Sequence, residues 1–338
     1  MPRMQKLGMR ILIATLGVLL ILLPSAGCAP AGPKAPIVFA DGGWDSIQVH
    51  NRIADFIIVH GYGYPPSEFV PGEVITILQG TVRGDLDVYI EAWRKSMQEA
   101  YDKAIATGQI VNVGNNFPDG WQGWLVPTYV IKGDAARGIE AMAPDLKSVF
   151  DMPKYWELFK DPEVPTKGRF YSCIPGWECT KWNEMKMEAY GLSEYYNLFL
   201  PGSDAALSAS MVAAYEKGEP WFGFYWEPTW IMGKLDMTPI EEPPFDEEIW
   251  KTTKACAWPL DPADILVHVS LLDRAPEVVE FLSKYETTMA MNNAFLNYMQ
   301  ETKASTTEAA IWFLKEYESV WTKWVPSDVV SKVKAALP

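Results

Sequence analysis

The chain has 338 residues, 49% of them apolar and 13% aromatic, with 43 acidic against 29 basic side chains and a formal charge of −14. That length and apolar content support one large domain or two lobes and exclude intrinsic disorder. The acidic balance, without a basic block, excludes nucleic acid as a partner.

Arg3, Lys6 and Arg10 precede an apolar run over residues 11–23, which ends at Pro24-Ser25-Ala26-Gly27-Cys28. The run is too short to span a bilayer and small residues follow it, so residues 1–27 read as a secretory signal. Cys28 stands where the bacterial lipobox carries its lipidated cysteine; plain export is the alternative. Cleavage before Cys28 takes the formal charge from −14 to −17. Residues 28–36, rich in Ala, Pro and Gly, form a tether.

Beyond the tether, Ile37-Val38-Phe39-Ala40 predicts a strand. Residues 46–60 predict a helix, with apolar spacing at Ile53, Phe56 and Ile57 and a stop at Gly61. Val74-Ile75-Thr76-Ile77-Leu78 and Leu86-Asp87-Val88-Tyr89-Ile90 both predict strands, and this alternation opens an α/β lobe. Proline- and aromatic-rich stretches at 121–129 and 221–230 flank a helix over 203–217, with Ser203 or Asp204 as N-cap and Gly218 after the last turn. Crossings between lobes are expected near Val126-Pro127-Thr128 and Trp226-Glu227-Pro228. Helices are expected over 276–285, 288–301 and 305–324, the last opened by a Ser305/Glu308 capping box.

Cys173 and Cys179, six positions apart around Pro175-Gly176, are expected to close a small disulfide ring in an oxidising compartment, leaving Cys256 unpaired. A Cys173–Cys256 pair and two buried thiols are the alternatives. The ring would hold Trp177 near its apex.

Enzyme signatures are missing: there is no G-x-S-x-G elbow, H-E-x-x-H pair, Walker loop or G-x-G-x-x-G. His50, His60 and His268 lack metal-ligand spacing, and His50 and His60 are expected at the surface or edge of the first helix. Asp85 and Asp87 read as loop and strand-end residues, so neither metal nor cofactor is expected. Glu178 with Glu227 would serve an exported carbohydrate-active enzyme, with tryptophans as sugar platforms, but no motif supports the pairing. Fifteen tryptophans stand out, several in loops beside Gly or Pro. Trp312 and Trp321 fit core packing. Trp93, Trp177 and Trp226 are candidates for a binding surface, because indole faces attract a quaternary ammonium that cannot donate a hydrogen bond.

Several blocks in order then resemble one family: Gly43-Trp44-Asp45-Ser46 with His50-Asn51, Gly61-Tyr62-Gly63-Tyr64, Gly84-Asp85-Leu86-Asp87-Val88 with Glu91-Ala92-Trp93, Val126-Pro127-Thr128-Tyr129, the segment from Cys173 to Cys179, Ala189-Tyr190-Gly191-Leu192, and Tyr225-Trp226-Glu227-Pro228-Thr229-Trp230. The chain resembles the extracytoplasmic substrate-binding proteins of glycine betaine, proline betaine and choline ABC importers. The resemblance implies an α/β, type II periplasmic-binding-protein fold, with lobe I over 37–126 and 231–338, lobe II over 127–230, and a two-crossing hinge. It implies a non-enzymatic receptor that hands its solute to a permease and its ATPase, held outside the cytoplasmic membrane by lipid at Cys28. It further implies a cage of Trp93, Trp177 and Trp226, with backbone N–H groups around Glu178 and Cys179 for a ligand carboxylate. Trp44, Met97, Thr229 and Glu227 are secondary candidates. Members often set a histidine beside a cage tryptophan; here the neighbouring positions are Met97 and Thr229. That departure keeps choline close behind glycine betaine, with Glu178 or Glu227 approaching the cation.

Overall fold

Short β-branched segments alternate with amphipathic helices along the chain, and the computed structural model, which describes residues 34–338, arranges them about one mixed sheet. The expected signal peptide and Cys28 lie outside the described residues. The strands are β1 (Val38–Asp41), β2 (Glu68–Pro71), β3 (Val88–Trp93), β4 (Ile110–Pro127), β5 (Gly168–Tyr171), β6 (Tyr196–Phe199), β7 (Gly223–Glu227), β8 (Met237–Pro239) and β9 (Asp261–His268). The helices of the first half are α1 (Asp45–Phe56), α2 (Val74–Arg83), α3 (Gln98–Ala106), α4 (Thr128–Lys132) and α5 (Glu178–Ala189). Those of the second half are α6 (Asp204–Lys217), α7 (Trp230–Lys234), α8 (Glu247–Thr252), α9 (Ser270–Arg274), α10 (Pro276–Lys284), α11 (Met289–Thr302), α12 (Thr306–Glu316), α13 (Glu318–Trp321) and α14 (Ser327–Ala336).

The strand order is β2-β1-β3-β9-β4-β7-β5-β6, with β8 on the side of β4. β4 is the continuous element. Its first part, from Ile110 to Gly120, pairs antiparallel with β9, and its second, from Trp121 to Leu125, pairs antiparallel with β7. Two apolar cores form on either side. One draws on residues 37–110 and 265–333, the other on residues 124–258. The stretch 231–258 is expected in the first lobe, but Trp250 and Trp258 pack against Trp182 in the second core, to which Cys256 also belongs.

Most local expectations match the backbone. Ser203 caps α6 by accepting from Ala206 N–H, Gly218 ends it in the left-handed region, and Ser305 with Glu308 forms the capping box of α12. Three readings differ. Residues 74–78 are helical: their β-branched side chains favour a strand, yet Ile77, Leu78 and Thr81 fall on one buried face, and packing outweighs that propensity. The helix expected over 305–324 breaks at Tyr317, though Trp321 is fully buried as expected. His50 faces the core instead of the surface, because helices cover the side of α1 that carries it. Its ring meets Phe117, Tyr285 and Phe295, and its Nδ1 lies 2.8 Å from the Tyr285 hydroxyl. Burial lowers its pKa to about 3, so the imidazole is neutral.

Cys173 and Cys179 are disulfide-bonded, while Cys256 is free and buried. Beside Cys256 sits Lys186, also fully buried. Its ammonium donates to the Glu242 carboxylate and the Cys256 carbonyl among the rings of Trp124, Tyr190, Trp250 and Trp258. Removing one member of such a pair strands the other charge. Glu242→Ala is therefore expected to destabilise the protein by about 3 kcal/mol, read as a lower urea midpoint at constant slope. A loss under about 1 kcal/mol would show that Lys186 deprotonates or finds water instead.

Candidate functional site

Four tryptophans from four separate segments meet at one cleft. Trp44 is the N-cap residue of α1, Trp93 ends β3, Trp177 precedes α5 inside the disulfide ring, and Trp226 lies on β7. Together with Val74, Tyr89, Ser96, Gln122, Glu178, Cys179 and Phe224 they line about 500 Å³ of empty space, open mouth included. Trp44 belongs to the first core and Trp226 to the second, while Trp93 and Trp177 touch both. Trp177 stands edge-on to two of its partners, with ring centroids 5.7 Å from Trp44 and 5.1 Å from Trp226. Trp93 is backed by Phe117 at 5.7 Å, and Trp226 by Tyr225 at 4.7 Å.

The indoles are positioned by small neighbours and by one carboxylate. A methyl group at Gly42 would fall 1.9 Å from the Trp44 ring, and one at Gly120 would fall 2.5 Å from that of Trp93, so both positions need glycine. Glu91, fully buried on β3, accepts three hydrogen bonds at Oε1: from Trp44 Nε1 at 2.7 Å, Trp93 Nε1 at 2.9 Å and Ser46 Oγ at 2.9 Å. Its Oε2 has no partner among the described residues. Burial raises its pKa to about 7 against the opposing pull of those donors.

One end of the cleft is polar. Gln122 Nε2 donates to Ser96 Oγ at 2.6 Å and to Asp261 Oδ2 at 3.3 Å, and the Asp261 carboxylate also accepts the amides of Lys95 and Ser96. The fully buried Tyr89 hydroxyl has no partner among the described residues. Glu178 and Cys179 open α5, which no side chain caps; the Thr180 amide donates to the Trp177 carbonyl, and the Glu178 and Cys179 amides are left for another acceptor.

The sequence-derived candidates sort by place. Trp93, Trp177, Trp226, Glu178, Cys179 and Trp44 are brought to the cleft. Met97 is not: it is buried in the first core at the start of α3. Glu227 ends β7 away from the lining, its pKa raised by burial and by Asp119. Thr229 lines an adjoining pocket with Asp45, Ser46, Asp204, Ser208 and Tyr225, which shares the Trp44 and Trp226 walls. The buried carboxylate bonded to the indoles of the cleft is thus Glu91 and neither Glu178 nor Glu227. Sequence reasoning passed over it, although it stands two residues before Trp93. Tyr89, Ser96, Gln122, Val74 and Phe224 were also missed. Among the described residues no group of His, Cys, Asp or Glu could hold a metal ion, and no helix is long and apolar enough to cross a membrane.

Residues 35–316 match the model of the substrate-binding domain of ABC-type glycine betaine transport systems, and the chain belongs to that family, one of binding proteins and not of enzymes. It is similar to the glycine betaine-binding periplasmic protein OusX of Dickeya dadantii, 28% identical over 152 residues, which span 45% of this chain and 43% of OusX. A trimethylamine N-oxide-binding protein of Pelagibacter ubique is 24% identical over 240 residues, 70% of this chain and 73% of that one. The fold is that of the glycine betaine/L-proline-binding protein ProX of Borrelia burgdorferi, with a TM-score of 0.71 at 16% identity over 89% of this chain and all of the other. The architecture is thus the α/β periplasmic-binding-protein fold.

The buried acids set a pH dependence. Glu91 and Asp261, both raised to about 7, favour folding while protonated, so their stabilisation is complete below the unfolded value and lost as pH rises through 7. His50 acts the other way, but only once pH falls below the unfolded 6.5. Each group contributes about 1.4 kcal/mol per pH unit within its window. The melting temperature is expected to rise as pH is lowered from 8 to 6, and less so in Asp261→Asn. A melting temperature that falls over that interval would contradict the assignment.

Proposed function

We propose that the protein is the extracytoplasmic receptor of an ABC importer and captures a compatible solute with a methylated onium head, glycine betaine first and choline close behind. The observation that carries this reading is the meeting of four indoles at one cleft whose exposed lining, taken with those indoles, is mostly apolar. A quaternary ammonium spreads its charge over methyl groups and offers no hydrogen-bond donor, so aromatic faces compensate its lost hydration better than carboxylates do. Each face contributes roughly 0.5 to 2 kcal/mol. Donor cations such as ammonium or a lysine side chain would lose water without gaining acceptors, which supplies selectivity.

In this reading the onium head sits among Trp44, Trp93, Trp177 and Trp226, and the amides of Glu178 and Cys179 at the α5 N-terminus take a ligand carboxylate. Met97 and Glu227 lose their candidacy by position, and the polar end at Tyr89, Ser96 and Gln122 joins the proposed site. The two cores act as lobes that close on the solute, with β4 and the approach to β9 as crossings. The relative that binds trimethylamine N-oxide adds a compact alternative ligand, whose single oxygen would meet the same polar end. Lipid at Cys28 would anchor the receptor outside the cytoplasmic membrane, near the permease and ATPase that accept its solute.

A thermal-shift panel of glycine betaine, choline, trimethylamine N-oxide and an oligosaccharide tests the ligand class, since a ligand raises the melting point when it prefers the folded state. A shift with methylated amines alone is expected; a shift with the sugar alone would refute the reading. Trp177→Ala is expected to weaken the binding of the best ligand at least tenfold in calorimetry while the fold persists. Unchanged affinity would remove Trp177 from the site.

A further inference from the structure

We propose that Glu91 is the counter-charge of the cage, a positioning and specificity-determining residue that acts on a bound cation through the Trp44 and Trp93 indoles without touching it. The inference rests on the cage reading above and deepens it. Glu91 is fully buried and does not line the cleft, whereas the two indoles it anchors do. Its three hydrogen bonds converge on Oε1 and come from α1 and from both ends of the first-lobe part of the cage. They fix where two indole planes stand relative to each other.

Fixing the rings does not by itself require an acid. A glutamine oxygen would accept the same indole N–H groups and the Ser46 hydroxyl at a much smaller desolvation cost. The carboxylate also leaves Oε2 without a partner among the described residues, a further cost of burial. What glutamate adds is negative charge. An anion accepting from indole N–H groups enriches the ring faces in electron density, and in a water-poor site its field reaches a cation on the other side of those rings. Because the rings shield it, the charge attracts a methylated cation while offering no acceptor to a hydrated ammonium ion. Other charged or titratable groups nearby do not fill this role: Glu178 is partly exposed and lies 3.7 Å from Lys181 Nζ, and Asp261 is occupied by the Lys95 and Ser96 amides and Gln122.

The test compares choline with its neutral carbon isostere, 3,3-dimethylbutan-1-ol, in the wild type and in Glu91→Gln at pH 8, above the value of about 7 to which burial raises the carboxyl. Gln keeps the acceptor and removes the charge. Choline binding is expected to weaken at least tenfold and binding of the neutral compound less than twofold, by calorimetry and ligand-observed NMR. Equal losses for both compounds would mean that Glu91 only holds the rings, and no loss for choline would mean that its charge is irrelevant; either overturns the proposal. Glu91→Met serves if the Gln variant does not fold, and failure of both to fold makes the residue structural and overturns it as well. If the wild type binds none of choline, glycine betaine and trimethylamine N-oxide, the cage reading fails too. Wild-type binding with an unchanged choline preference would sink the role of Glu91 alone.

Discussion

The hydrogen-bonded junction at Glu91 holds the cleft in shape, because Trp44 and Trp93 reach the site from separate segments and both donate to the same carboxylate oxygen. Trp44 arrives at the head of α1 and Trp93 at the end of β3, and one carboxylate oxygen ties both indole N–H groups to the sheet. An acceptor alone would fix the two large planar side chains; the unfavourable burial of an acid is offset, in the proposal above, by the charge it brings to a bound cation. Gly42 and Gly120 complete it by leaving room where a single methyl group would collide with those rings.

The opposite wall is built by different means. The disulfide between Cys173 and Cys179 ties down the turn that presents Trp177, and β7 delivers Trp226 against Tyr225 and Phe224. Since β4 pairs with β9 over its first part and with β7 over its second, the two walls share a common strand. In the proposed reading such a cleft narrows through small changes along β4 while each core stays packed. Ligand between the walls would stabilise the narrowed form by as much as its preference for that form allows.

Much of this was legible in the sequence because the informative residues carry strong local signals. Cysteines six apart around Pro-Gly announced a ring, Ser305 and Glu308 announced a helix start, and tryptophans beside glycine and proline marked side chains that the fold brings to one cleft. What stayed hidden depended on long-range packing. Residues 74–78 have strand propensity and become helical because one face is buried, and His50 enters the core because of helices more than two hundred residues away. Residues 231–258 join the second core through contacts among Trp182, Trp250 and Trp258 that no local pattern encodes. Glu91 was overlooked for the same reason: a glutamate in a strand reads as solvent-facing until its indole partners are placed around it.

In the proposed reading, indoles from both cores enclose a methylated onium head. A crystal structure of the protein with glycine betaine tests it most directly. Methyl carbons are expected in contact with the faces of Trp44, Trp93, Trp177 and Trp226, and the carboxylate at the start of α5. A ligand bound elsewhere, or held by carboxylates with the four rings packed against one another, would contradict it.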